Sequence, residues 1–244
     1  LTAYAGPCTI TVANTVIDAK RIVCTQLLIQ AAGVVVAHSD ITGSADPAVA
    51  VGSGDLSVSQ STIHAAVNAT GLGDNHWVGL ALNISGGNRG ANCDRVCTLR
   101  DSWLHGNRVS GTTHASGMRA GQNTTAIHNT LSCDAPADNC SADLTGYPDF
   151  APTHDWTITG NLFIAQHLGG GYFCSYGGAT QGKQYSTDPA NAVNIQFRNN
   201  VYQHGPGGWC GGYTDGSAIS DEDPTRPGWV WSGNVWDSGE PVLL

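Results

Sequence analysis

The sequence predicts an all-β chain wound as a parallel β-helix, a solenoid whose short strands stack coil upon coil. A recurring segment is the first observation. DWTITGNLFIAQ (155–166) aligns on Asn161 with NIQFRNNVYQHG on Asn200 and GWVWSGNVWDSG on Asn234. Upstream it aligns with TTAIHNTLSCD on Asn129, VCTLRDSWLHG on Ser102, DLSVSQSTIHA on Ser61 and GVVVAHSDITG on Ser39. The second observation is what those copies share. Three places before the aligned residue stand Val36, Val58, Leu99, Ala126, Ile158, Phe197 and Trp231. Two places after it stand Ile41, Ile63, Leu104, Leu131, Phe163, Tyr202 and Trp236. All are apolar or aromatic, in the alternation of a strand with one buried face. The third is the polar aligned residue itself: Asn129, Asn161, Asn200 and Asn234 can stack amide on amide and satisfy one another along the axis.

A single such strand cannot bury its apolar face, so stacked copies share one core and repetition becomes the fold. Spacings between aligned residues run from 22 (Ser39 to Ser61) to 41 (Ser61 to Ser102), one coil plus loops of varying length. TVIDAKRIV reads as a degenerate first copy, with Ile17, Lys20 and Ile22 in the three slots. The expected product is about seven to eight coils in one domain over 1–244. An all-β sandwich is the alternative, but it does not require the same slots to recur.

In chain order, residues 1–33 form the N-terminal cap and first coil, which must be sealed because no coil lies below it. From 34 to 100 the coils are compact. AVAVGSG (48–54) and GLALNISGG (79–87) read as a second strand following the aligned one. Its later counterparts are SGMRAG (116–121), GGGYFCSYGG (169–178) and GGWCGGYTDG (207–216). Long loops gather in the C-terminal half, at 132–154, 175–192 and 211–228, and loops on a rigid scaffold are where sites are usually placed. Residues 229–244 make the last coil and tail, with Trp229, Trp231 and Trp236 as its closing core.

Composition narrows the partners. Charged residues are 12%, and 10 basic against 19 acidic side chains give a net charge of −9. Nucleic acid is excluded as an expected partner, because phosphate binding needs Lys/Arg patches. No apolar run is long enough to span a bilayer. Eight cysteines without a CxxC pair point to disulfides and an oxidising compartment. Cys8 with Cys24, Cys93 with Cys97 and Cys133 with Cys140 are local closures. Cys174 and Cys210 remain, at equivalent places of neighbouring coils. The irregular spacing argues against zinc. The chain begins at Leu1 without Met or signal peptide, as a processed, secreted protein would, and is expected to be a monomer.

The aligned strand with its Asn turn, as in WTITGNLFIAQ and IQFRNNVYQHG, resembles the right-handed parallel β-helix of the pectate-lyase-like superfamily. GPCTITVANTVIDAKRIVC, HASGMRAGQNTTAIHNTLSCDAP and CSADLTGYPDF further resemble secreted actinobacterial β-helix proteins of unsettled activity. The resemblance covers nearly the whole chain and implies a polysaccharide partner bound along one sheet. Neither the multi-arginine signature of pectate lyases nor the paired-aspartate signature of polygalacturonases is present, so no catalytic residue carries over.

Candidates for chemistry therefore come from the residues. In His114-Ala-Ser-Gly-Met-Arg119, inward-facing Met118 and Ala120 would turn Arg119 outward, one coil from Tyr176. A lyase needs a base for the proton α to a uronate carboxyl and a cation for the charge that develops. Arg119 suits the cation, His114 the base, Tyr176 the acid and Lys183 a second base. The competing reading pairs Arg119 with an aspartate of the 132–154 loop and leaves His114 capping a turn. A hydrolase would instead need two carboxyl groups, drawn from Asp134, Asp155, Asp188 and Asp215. Asp215, Asp221 and Asp223 offer the hard oxygen ligands calcium prefers, against the plainer reading of a solvated acidic loop. Trp77, Trp209, Tyr213 and Tyr185 are the candidate sugar-stacking residues. The expected activity is polysaccharide cleavage by β-elimination. Glycoside hydrolysis and non-catalytic carbohydrate binding are the alternatives.

Overall fold

Twelve of the fourteen repeat positions, all but Trp231 and Trp236, are fully buried, and that interior row fixes the architecture. A computed structural model describes residues 1–135, 139–165, 173–205, 207–211 and 218–244. Among them every regular element is a β-strand, and no helix is long and apolar enough to cross a membrane. The strands pair in parallel into curled sheets, consistent with a β-solenoid.

The chain visits three rows of strands in turn. Sheet I includes Arg89–Asn92, Ala115–Arg119, Cys140–Thr145 and Ser175–Tyr176. Sheet II includes Arg95–Arg100, Gln122–Ile127, His154–Thr159 and Val193–Arg198. Sheet III carries the residues just after the aligned turn, such as Trp103–His105, Thr130–Leu131 and Leu162–Phe163. Like positions face like positions: Ile22 meets Ile41, Ile41 meets Ile63, Ile63 meets Ile84 and Ile84 meets Leu104. A strand shifted by one residue would turn these side chains to solvent, so burial of one face locks the register.

Among the described residues sheet III holds ten strands, two more than the eight segments recognised in the sequence. One extra is Thr2–Ala3, paired to Lys20–Cys24. The other is Asn83–Gly86, hidden inside the long interval from Ser61 to Ser102. GLALNISGG is thus not one second strand. Its first residues end the sheet II half of Thr70–Leu80, and NISG belongs to sheet III. The motif is masked there because apolar Leu82 occupies the ladder slot and Gly79 the inward slot. A Cβ on Gly79 would lie 2.9 Å from Leu82 Cδ1 and 3.0 Å from Leu99 Cδ1, so those leucines fill the space a larger residue fills elsewhere. In the last coils the next sheet I strand is Ile219–Ser220, not GGWCGGYTDG; 207–211 holds no strand and 212–216 lies outside the described residues.

At the turn between sheets II and III the amides stack as the sequence suggested. Oδ1 of Asn161 accepts from the Asn129 backbone N–H (2.9 Å) and from Asn129 Nδ2 (3.0 Å). Asn200 does the same for Asn161, and Asn234 for Asn200. The serine rungs use a shorter version, in which Ser61 Oγ accepts the Ser39 N–H at 3.0 Å. The residue before each ladder position is in the left-handed region, for instance Gln60, Asp101, His128 and Asn199, with φ between 47° and 56°. Asn and Asp tolerate this conformation better than most side chains.

Four disulfides join Cys8 to Cys24, Cys93 to Cys97, Cys133 to Cys140 and Cys174 to Cys210, the pairs expected from position. They suggest an oxidising environment. Trp229, Trp231 and Trp236 pack against the end of the core.

Candidate functional site

Sheet I and the loops that follow it bring together three of the four catalytic candidates. Arg119 ends the strand Ala115–Arg119, where inward Met118 is fully buried and faces Ala91 and Leu144 of the adjacent rungs. Its guanidinium Nη2 donates to Asp149 Oδ2 at 3.3 Å and to the Tyr147 carbonyl at 3.5 Å. Lys183, from the loop after Tyr176, reaches the other oxygen of the same carboxylate, Nζ to Oδ1 at 3.2 Å. The guanidinium lies 5.8 Å from the Tyr147 ring centroid and 5.5 Å from that of Phe150, and the ammonium lies 5.1 Å from Tyr147. Tyr147 is therefore placed against two cations, in contact of the cation–π kind.

Tyr176 stands one rung on, its ring 5.2 Å from that of Tyr147. Ser141 and Tyr176 are the polar side chains nearest in effect to the Tyr147 phenol. Burial raises the Tyr147 phenol above its ordinary range, with Tyr176 and Ser141 opposing. His114 is exposed and joins the group only at its edge, through a 3.5 Å contact from Nδ1 to Ser141 Oγ. The competing pairing of Arg119 with an acid of the 132–154 loop is thus present, and the acid is Asp149.

Arg89, unremarked in the sequence, lies behind this cluster. Its strand neighbour in register is Ser116, whose Oγ accepts from Nε at 3.4 Å. Among the described residues no carboxylate lies within ion-pair distance of it. Burial lowers the pKa of its guanidinium, and the nearby positive charge of Arg119 lowers it further. Beside Tyr147, then, Arg119 and Lys183 share the Asp149 carboxylate, and buried Arg89 lies behind them within electrostatic reach of Asp46 and Asp94. A cavity of about 250 Å³ beside Arg119 and Tyr147 is lined by these two with Asp94, Arg95, Gln122 and Phe150, among others.

The remaining candidates separate. Trp77 is buried at 1% exposure with its indole N–H on the Asn92 carbonyl, 3.2 Å away. It is core, because its strand position points inward, and is withdrawn as a sugar platform. Tyr185 is half-buried and its backbone N–H on Pro148 O ties the two long loops together. Trp209 is half-buried in a turn closed by Gly205 N–H on its carbonyl. Tyr213 and Asp215 lie outside the described residues. Asp221 accepts from Thr180 Oγ1 at 2.7 Å, and Asp223 from the Thr225 backbone N–H at 3.1 Å. The Asp223 bond is that of a turn-forming acid, whereas the Asp221 bond ties together two segments far apart in sequence.

One buried acid was not anticipated. Asp143 is fully buried, with Oδ1 accepting the Cys133 N–H at 2.7 Å and, among the described residues, no partner for Oδ2. Burial pushes its carboxyl well above the usual carboxylate range. It lies near the Cys174 and Cys210 sulfurs, which are disulfide-bonded and so do not make this trio a metal site.

Comparison with known proteins yields no match to this chain among family models, curated sequences or solved structures.

Proposed function

We propose that this chain is a right-handed parallel β-helix of the pectate-lyase-like kind, one secreted domain whose outward sheet I binds and cleaves a uronate-containing polysaccharide by β-elimination. The observation that carries the reading is the convergence of Arg119 and Lys183 on one carboxylate beside Tyr147, with Arg89 behind them; among the described residues Asp149 is the only carboxylate ion-paired to any of the three. In a chain of net charge −9, three of ten basic residues at one place make a local anion site.

In this reading the substrate carboxylate takes the place of Asp149 beside Arg119, and the guanidinium stabilises the charge that develops on it. Lys183 is placed as the base for the proton α to that carboxyl. The bond to the next sugar's oxygen breaks as the carbon–carbon double bond forms, and Tyr176 returns a proton to the leaving oxygen. His114, reaching Tyr147 through Ser141, serves in proton exchange with solvent. Calcium at Asp215, Asp221 and Asp223 is a further part of the proposal, read by loss of activity in a chelator.

A panel of uronate polymers tests it, followed by ultraviolet absorbance of the unsaturated product and by reducing ends. Arg119→Ala should lower turnover by about 10²–10³-fold, as removal of a group stabilising developing charge does. Reducing ends without absorbance would move the reading to hydrolysis by a carboxylate pair drawn from Asp134, Asp155, Asp188 and Asp215. Silence in both channels with retention on uronate would leave non-catalytic binding. The closed pairing of both Arg119 and Lys183 with Asp149 favours that second reading.

A further inference from the structure

We propose a second carbohydrate site, on sheet III rather than sheet I, that takes a neutral polysaccharide chain lying along the stacking axis over Trp103. Of the seven tryptophans Trp103 alone is exposed, at 48%. It sits on the outward face, in register between Asn83 and Thr130. One face of its indole is covered by the imidazole of His105, with centroids 3.6 Å apart and planes 14° from parallel. His105 is itself fixed through Nε2 by Asn83 Oδ1 at 2.8 Å. The ring is thus held in one orientation before anything binds, which lowers the ordering cost of stacking.

A groove of about 900 Å³ runs beside this ring, within the range of about 300–1,000 Å³ typical of ligand sites. Successive rungs line it with the same three positions, namely the left-handed turn residue, the ladder residue and the first outward residue of sheet III. Thr130, Leu162 and Val201 continue the floor beyond Trp103. The rungs repeat at about 4.8 Å, a step comparable with one sugar unit of an extended chain.

Charge selects the ligand. The groove's titratable side chains are Asp101 and His128, bonded to each other at 2.6 Å, with Asp101 also held by Arg100 at 3.1 Å. Among the described residues lining it there is no lysine or arginine to hold a carboxylate or phosphate, in contrast to the Arg119 cluster. The exposed indole suits the C–H face of a pyranose. Asn83, Thr62, Thr130 and the Asp101–His128 pair supply donors and acceptors for its hydroxyls.

Native gels cast with mixed-linkage β-glucan, xylan or hydroxyethyl-cellulose, and a fourth with polygalacturonate, test the proposal. At least one neutral polymer should retard the protein. Trp103→Ala should weaken that retardation by about tenfold, equivalent to about 1.4 kcal/mol, while Trp103→Phe keeps part of it. Bound neutral oligosaccharide should also shield the protein's fluorescence from acrylamide, an effect absent in Trp103→Ala. Arg119→Ala should leave neutral binding unchanged and reduce only retardation by polygalacturonate, which keeps this site separable from the proposed active centre. No retardation in any neutral gel, or equal retardation of wild type and Trp103→Ala, overturns it.

Discussion

Replacing Asn161 by alanine removes four hydrogen bonds from the interior. Its Oδ1 accepts the Asn129 backbone N–H and Asn129 Nδ2, and its Nδ2 donates to Ala126 O (2.9 Å) and Asn200 Oδ1 (3.1 Å). Two partners keep a second bond: Asn129 Nδ2 still reaches Leu99 O, and Asn200 Oδ1 still accepts the Asn161 N–H. The Asn129 backbone N–H loses the acceptor it has. A buried donor left alone costs about 1–3 kcal/mol, and each other lost bond about 0.5–1.5 kcal/mol. The sum for Asn161→Ala is about 2.5–7.5 kcal/mol, or on the order of 5–30 °C in midpoint for a chain of this length. Asn161→Ser should cost about half as much. A serine there can accept the N–H of the preceding rung as Ser61 does for Ser39, and donate to the carbonyl two residues back as Ser39 Oγ does to Ala37 O. Denaturant titration gives both values. Hydrogen exchange at the Asn129 amide should be fast in the alanine variant and protected in the serine one. If the two variants lose equal stability, the orphaned-donor argument fails.

The pairs His128–Asp101, His154–Asp155 and His204–Asp237 have carboxyls held below the ordinary value of 3.8, by His128 first for Asp101, by Asn194 first for Asp155 and by His204 first for Asp237. Their contribution is present above that value and lost as pH falls below it, so acid unfolding should begin at higher pH in Asp155→Asn. His38 is shifted the other way, up from 6.5 by its bond to Asp18, so its contribution is full below 6.5 and fades as pH rises through the higher folded value. Asp143 is raised by burial. Its penalty grows as pH climbs above the ordinary carboxylate value, and Asp143→Asn should flatten that decline in a stability–pH profile. Removing Cys174–Cys210, which closes 36 residues, should cost about 3.8 kcal/mol by loop entropy, against about 1.9 kcal/mol for Cys93–Cys97, which closes 4. Denaturation of the two double alanine variants reads the difference.

Much of the fold is legible because register and burial speak through period. Ile158 and Phe163 bracket Asn161 at fixed offsets, and their counterparts in other coils obey the same rule. The coil around Leu82 breaks it, since Leu82 and Gly79 exchange the roles of polar turn and inward filler and a motif search sees only a long gap. Trp77 was misread for a related reason. An aromatic beside Gly73 and Gly79 looks like a loop platform, yet its alternation within Thr70–Leu80 turns it inward. The Arg119, Tyr176 and Lys183 grouping was readable from coil order. Asp149, Tyr147 and Arg89 were not, because loop conformation decides which of several acids and tyrosines returns to the sheet. Trp103 carried a usable signal: it takes the first outward slot, where the aligned segments have Asp40, Thr62, Thr130, Leu162, Val201 and Val235, and an indole there has nowhere to go but solvent.

The ladder that holds the rungs also decides what the outer surfaces can do. Each amide bond from Asn129 to Asn234 fixes one rung above the next, so outward residues on sheets I and III repeat at the same step as the core. On sheet I that repetition sets Arg119 against the loops carrying Asp149 and Lys183, and charge accumulates. On sheet III it sets Trp103 between Asn83 and Thr130, and an uncharged strip results. A ladder lesion that loosens one rung should therefore disturb both surfaces, whereas Arg119→Ala and Trp103→Ala should each silence one. Retention of uronate and neutral-glycan binding in Asn161→Ala, at temperatures where it stays folded, would show that the outer rows hold their spacing without the amide stack.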